Sequence, residues 1–143
     1  MMDKYNLNRF IIAQEHFYKF AIYELENGKK RSHWIWFIFP QLKDLGFSSK
    51  SKFYGITCKE EAKEYINNSI LGKRYIECCN ILLNLNEENI IKIMGEIDAM
   101  KLKSSLTLFK EVDITNNKLY CDLLEKYFGG EQCIKTINIL SIN

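Results

Sequence analysis

Apolar residues recur at steps of three and four from the start of the chain: Leu7, Phe10, Ile11, Phe17, Tyr18, Ala21, Ile22 and Leu25. That spacing puts them on one face of a helix. Asn6 or Asn8 is placed to cap its start, and Asn27-Gly28 is a natural stop. Gln14 lies on the same face, a polar amide among aromatics. Buried without partners it would cost about 1–3 kcal/mol, so it must tie down a loop backbone or face a pocket. At His33 to Gln41 the pattern changes to HWIWFIFPQ, apolar on every side. Periodicity does not decide there between a buried strand and a short helix, and Pro40 ends either. Leu42 to Lys52, with Gly46 and three serines, reads as a loop.

The helical period then returns. Thr57 and Glu60 form a capping box ahead of Ala62, Tyr65 and Ile66, and Asn67-Asn68-Ser69 breaks that helix. A further helix from about Ile70 to Leu85 turns Leu71, Tyr75, Cys78, Leu82 and Leu85 inward. Asn86 caps the next, led by Glu87 and Glu88 at the positive end of the dipole and ended by Gly95. Asp98 is placed to cap another, which carries Ala99, Leu102, Leu106 and Phe109 on one side. Leu119 to Phe128 form a helix stopped by Gly129-Gly130, and Ile134, Ile137 and Leu140 make a short last one. Alternating strand pairs with hairpin turns are missing. The expectation is an all-α protein, a single compact domain over residues 1–143 of roughly six to eight helices with short connections.

Composition narrows the function classes. The chain has 143 residues, enough to bury a core without disulfides or a structural metal. Lys plus Arg number 20 and Asp plus Glu 18, a net charge of +2, which argues against nucleic acid as a main partner and against a membrane-surface protein. A hydrophobic share of 47% and one proline fit a packed helical chain. Cys58, Cys78, Cys79, Cys121 and Cys133 are an odd set without C-x-x-C. They read as free thiols of a reducing cytosol, with a redox role at Cys78 or Cys79 as the other reading. No signal pattern opens the chain and Trp34 to Phe39 is too short to span a bilayer, so a cytoplasmic location is expected. His16 and His33 lack zinc-site spacing, and no phosphate-binding glycine loop, dinucleotide fingerprint or hydrolase motif is present. Neither a metal nor a cofactor is expected.

Two segments carry candidate chemistry. Around HWIWFIFPQ, polar Lys30, Arg31, Ser32, His33 and Gln41 bracket Trp34 and Trp36, the pattern of an aromatic-walled pocket with a few converging polar groups. The bland alternative is that the rings are core. In the run DAMKLKSSLTLF, Asp98, Lys101 and Ser105 share one helix face with Lys103, Ser104 and Thr107 on its flank. A helix start with a nearby lysine and hydroxyls suits phosphate or carboxylate. The alternative is an N-cap and a solvated lysine.

These residues resemble a known family. R-F-x-x-A-Q at Arg9–Gln14 and G-K-K-R-S-H-W-I-W-F-I-F-P-Q at Gly28–Gln41 look like the bacterial "domain of unknown function 1810" family. Its second signature, D-x-x-K-x-x-S-S-x-T-L-F, is matched at Asp98–Phe109. Leu45-Gly46-Phe47-Ser48, Leu71-Gly72-Lys73-Arg74 and Phe128-Gly129-Gly130 follow in order, so the resemblance covers nearly the whole chain. It implies a mainly helical domain, and the family name records no activity. One departure stands out: Cys133 occupies a place where the family often has an acidic residue, and an aspartate there could cap the last helix. A fainter likeness, in the A-Q of the first helix and the later helical layout, is to a helical family that processes ADP-ribose conjugates.

The functional expectation is a small anionic or nucleotide-like ligand held by Gln14, Lys30, Ser32, Trp34, Trp36, Gln41, Ser104 and Ser105. If ADP-ribose-linked hydrolysis occurs, His33 or Asp98 supplies the acid–base group and Lys101 the charge stabiliser. This expectation requires the two segments to meet in space. The alternative is a non-catalytic protein-interaction module, with Lys29–Arg31 and exposed tryptophans forming a surface for an acidic chain.

Overall fold

The described residues, 3–142, of the computed structural model hold nine α-helices. They are α1 (Asn8–Glu26), α2 (Ile35–Ile38), α3 (Ser49–Tyr54), α4 (Lys59–Asn67), α5 (Leu71–Asn84), α6 (Ile90–Met94), α7 (Glu96–Val112), α8 (Asn117–Phe128) and α9 (Ile134–Ile142). The all-α expectation is met, with more helices than the expected six to eight. The segment that periodicity left open is the single turn α2. The stretch read as a loop instead holds a 3-10 turn at Lys43–Leu45 and the whole of α3. The Ser48 hydroxyl caps α3 by accepting from Ser51 N at 3.1 Å. Six residues are too few to display an apolar period, so only that serine signalled the helix.

Several caps fall elsewhere than expected. Neither Asn6 nor Asn8 caps α1; the Asp3 carboxylate accepts from Leu7 N and Asn8 N instead. α4 starts after Cys58 rather than Thr57, and Glu61 reaches back to Thr57 N and Oγ1 while also meeting Arg9 at 2.7 Å. Asn89, not Asn86, caps α6. Asp98 is the third residue of α7 rather than its cap, because Gly95 at φ +84° both ends α6 and begins α7. A left-handed glycine turns the chain within one residue, which leaves no room for a side-chain cap. On α9 the inward residues are Thr136 and Leu140, while Ile134 is exposed.

α7 packs against α2, α4, α6, α8 and α9, and α5 against α1, α4 and α8. Ser104 to Phe109 of α7 are all buried. Two of their hydroxyls are satisfied within the helix, Ser104 Oγ donating to Met100 O and Thr107 Oγ1 to Lys103 O, while Ser105 Oγ pairs with Tyr75 OH of α5 at 2.7 Å. Rings run through this core as a contact chain from Trp34 to Phe39, Tyr75 and Tyr120, with centroids 5.5–6.3 Å apart. Lys126 of α8 donates to the Leu82, Leu83 and Leu85 carbonyls and so closes the end of α5. Among the described residues, no helix is long and apolar enough to cross a membrane.

Candidate functional site

The α1–α2 connection is organised by a residue that the helical pattern does not mark. Glu24 is buried on α1 and accepts from Arg31 N, Ser32 N, Ser32 Oγ and Trp34 Nε1 at 2.5–2.9 Å. Burial acts to raise its pKa, but these donors outweigh it and hold the carboxyl at about 2. The fold of the connection then directs Lys30. Its ammonium meets Asp98 Oδ2 at 2.7 Å and Ser32 O at 2.5 Å, beside the Trp34 ring. The two signature segments therefore touch, through an ion pair between the connection and the first turn of α7.

Other residues singled out in the sequence lie apart from this contact. Gln14 is buried, donates to Phe37 O at 2.7 Å and to Tyr65 OH, and accepts from Arg74 at 3.3 Å. Its amide is engaged at both ends. Trp34 and Ser105 are fully buried in the core. Ser32 is spent on Glu24. His33 is exposed and makes no hydrogen bond among the described residues.

A surface groove brings together another subset. It is about 680 Å³ in volume and lies between the 41–48 segment, α7 and the start of α9. Gln41, Lys101 and Ser104 line it, joined by Ser48, Ser51, Lys103, Gln132, Cys133 and Lys135. Three lysines thus face a lining that contains no carboxylate and no histidine. Lys103 meets Glu131 at 3.3 Å, while Lys101 and Lys135 have no ion-pair partner among the described residues. A small recess lined by Trp36 and Phe39 shares Gln41, Ser51 and Lys101 with the groove. Lys50 and Lys101 stand 4.8 and 5.4 Å from the Trp36 ring centroid. Trp36 Nε1 and Gln132 Oε1 are buried without a hydrogen-bond partner among the described residues. Unsatisfied buried polar atoms are uncommon, and here one belongs to the groove lining and the other to a residue that lines the recess.

At the groove's far end Cys133 immediately precedes α9, and its carbonyl accepts from Ile137 N. Burial pushes the thiol up, but the Ser104 hydroxyl and the N–H groups of Thr136 and Lys135 at the start of α9 outweigh it and hold it below its ordinary value. Ser104 Oγ lies 3.4 Å from the sulfur. The Thr136 hydroxyl is fully buried and has no hydrogen-bond partner among the described residues. Cys78 and Cys79, by contrast, are sealed in the core, where burial raises both thiols.

Sequence reasoning did not select Cys133, Lys135, Ser48 or Ser51 for a site. Ser48 carried a signal as a helix-capping serine, and Cys133 as the one departure from the family pattern. Lys135 carried none, since an isolated lysine on a short helix has no neighbours in sequence that mark a groove.

The profile of the family described as "Protein of unknown function (DUF1810)" matches residues 4–140. No curated protein matches the chain. Among solved structures, the crystal structure of the conserved hypothetical protein Rv1873 from Mycobacterium tuberculosis is similar, with a TM-score of 0.95 and 39% sequence identity. The match covers 99% of this chain and 100% of that one. With its signature segments in contact and its family match running almost end to end, the chain belongs to the DUF1810 family.

Proposed function

We propose that this protein binds a small organic anion, of the nucleotide or phosphosugar kind, in the groove between the 41–48 segment, α7 and α9. One observation carries the reading: Lys101, Lys103 and Lys135 converge on a lining that holds no carboxylate. Its volume falls within the roughly 300–1,000 Å³ of small-molecule sites. The hydroxyls of Ser48, Ser51 and Ser104 and the amide of Gln41 supply orienting groups, and Phe47, Ile97 and Met100 an apolar wall. The proposal stops at binding. An ADP-ribose-linked hydrolysis would need an acid–base group; Asp98 is held by Lys30 and His33 lies outside the lining.

The test is a thermal-shift series with nucleotides, ADP-ribose, phosphosugars and inorganic phosphate. A ligand at about 100 times its Kd adds about 2.7 kcal/mol, which is a rise of about 5 °C or more for a chain of this size. Lys101→Ala and Lys135→Ala are expected to remove most of the shift, and Lys29→Ala, on an exposed residue outside the lining, to leave it. A folded protein that none of these anions stabilises would sink the proposal.

One observation favours the second reading, a protein-interaction module. Phe47 is 89% exposed at the groove, and Ile97, Met100 and Ile134 are also exposed there. An apolar rim around lysines suits an acidic segment of a partner chain. The tryptophan surface first expected for such a module has no counterpart, since Trp34 is fully buried. Stabilisation by acidic peptides but by no small anion would select this reading.

A further inference from the structure

The groove ends on a sulfur whose surroundings are built for a negative charge. Cys133 is half-buried at the start of α9 and lines the groove together with Lys101, Lys103 and Lys135. The Ser104 hydroxyl lies 3.4 Å from its Sγ, and the fully buried Thr136 hydroxyl, in the first turn of α9, makes no hydrogen bond among the described residues. Glu131, two residues before Cys133 in the chain, is turned to Lys103 in an exposed pair. A lysine-lined groove recruits anions, and a thiolate attacks a disulfide without a general base. The lining offers no carboxylate or histidine for other covalent chemistry.

We propose that Cys133 is a modification site that exchanges with negatively charged low-molecular-weight disulfides, the mixed disulfide then filling the anion groove. This rests on the reading of the groove as an anion site. The Cys133 thiolate attacks one sulfur of the small disulfide; the Cys133–S bond forms as the original S–S bond breaks. Cys133 is oxidised, and the departing half leaves as a thiolate that the lysines stabilise before it takes a proton from water. Cys78 and Cys79 are buried in the core, so an external thiol, rather than either of them, reverses the modification.

The experiment treats the folded protein with oxidised glutathione, which is anionic, and with cystamine, which is cationic, and follows each cysteine by peptide mass mapping. Cys133 is expected to react about tenfold faster than Cys58 and Cys121, the other partly exposed thiols. Lys101→Ala with Lys135→Ala is expected to slow glutathione about threefold or more while leaving cystamine unslowed. Modified protein is expected to lose the thermal shift given by anions. Cys133 reacting no faster than Cys58 and Cys121 with either reagent overturns the proposal while leaving the anion groove standing. Fast reaction with no preference for the anionic reagent overturns the assigned substrate class. The mapping reads the unmodified chain, so it stands even if Cys133→Ser fails to fold.

Discussion

The Glu24 carboxylate holds the α1–α2 connection by accepting four hydrogen bonds, from Arg31, Trp34 and twice from Ser32. Its carboxyl sits at about 2 when folded against an ordinary 4.5. The unfolded chain therefore takes up the proton first on acidification. The stability this residue contributes is complete above about pH 4.5 and is lost as pH falls through about 2. Glu24→Gln is expected to cost about 1–3 kcal/mol at neutral pH, since one amide oxygen cannot serve four donors. The gap from the parent should narrow toward pH 2 in urea titrations, and parallel curves would overturn this account. Gln14 shows what was legible at this scale. Its polarity on an apolar face announced a buried amide with partners, but not that these would be Phe37 O, Tyr65 and Arg74. Glu24 gave no such sign, because a glutamate near a helix end is an ordinary surface residue until a loop folds over it.

Longer helices were readable because their apolar faces repeat over several turns, as in α1 and α5. α2 and α3 are too short to repeat, and packing alone decides their form. α5 also depends on one backbone contact. A Cβ added at Gly72 would stand 2.0 Å from the Ile66 carbonyl oxygen at the end of α4. In an unconstrained helix interior, alanine would gain up to about 1 kcal/mol over glycine. Here Gly72→Ala is expected to destabilise by about 2 kcal/mol or more, because a backbone atom must move. Chemical denaturation decides the sign, and a stabilised variant would show that the α4–α5 junction gives way easily.

Across the whole molecule, one hydrophobic cluster links residues from Leu7 in the chain's first turns to Leu140 in α9. We propose that the chain unfolds as one cooperative unit. Far-UV circular dichroism and tryptophan fluorescence should then give the same urea midpoint, since Trp34 lies in that cluster. A separate transition for α8 and α9 would divide the chain in two. The net charge of +2 describes the total and conceals the arrangement: Lys101, Lys103 and Lys135 share one groove whose lining holds no acidic residue.

Helix content, the longer elements and most of the inward faces follow from local spacing, which each segment carries within itself. The glycine stops at Gly28, Gly95 and Gly129 are equally local, since each adopts a positive φ. The contact between Lys30 and Asp98 was foreseeable only as a requirement that two signatures meet. The groove was not foreseeable at all. Its walls come from the 41–48 segment, α7 and α9, and no pattern within any one of them states how near the others will lie. Packing of the core brings the lysines together around Cys133, and so sets the charge that the sulfur and any ligand meet.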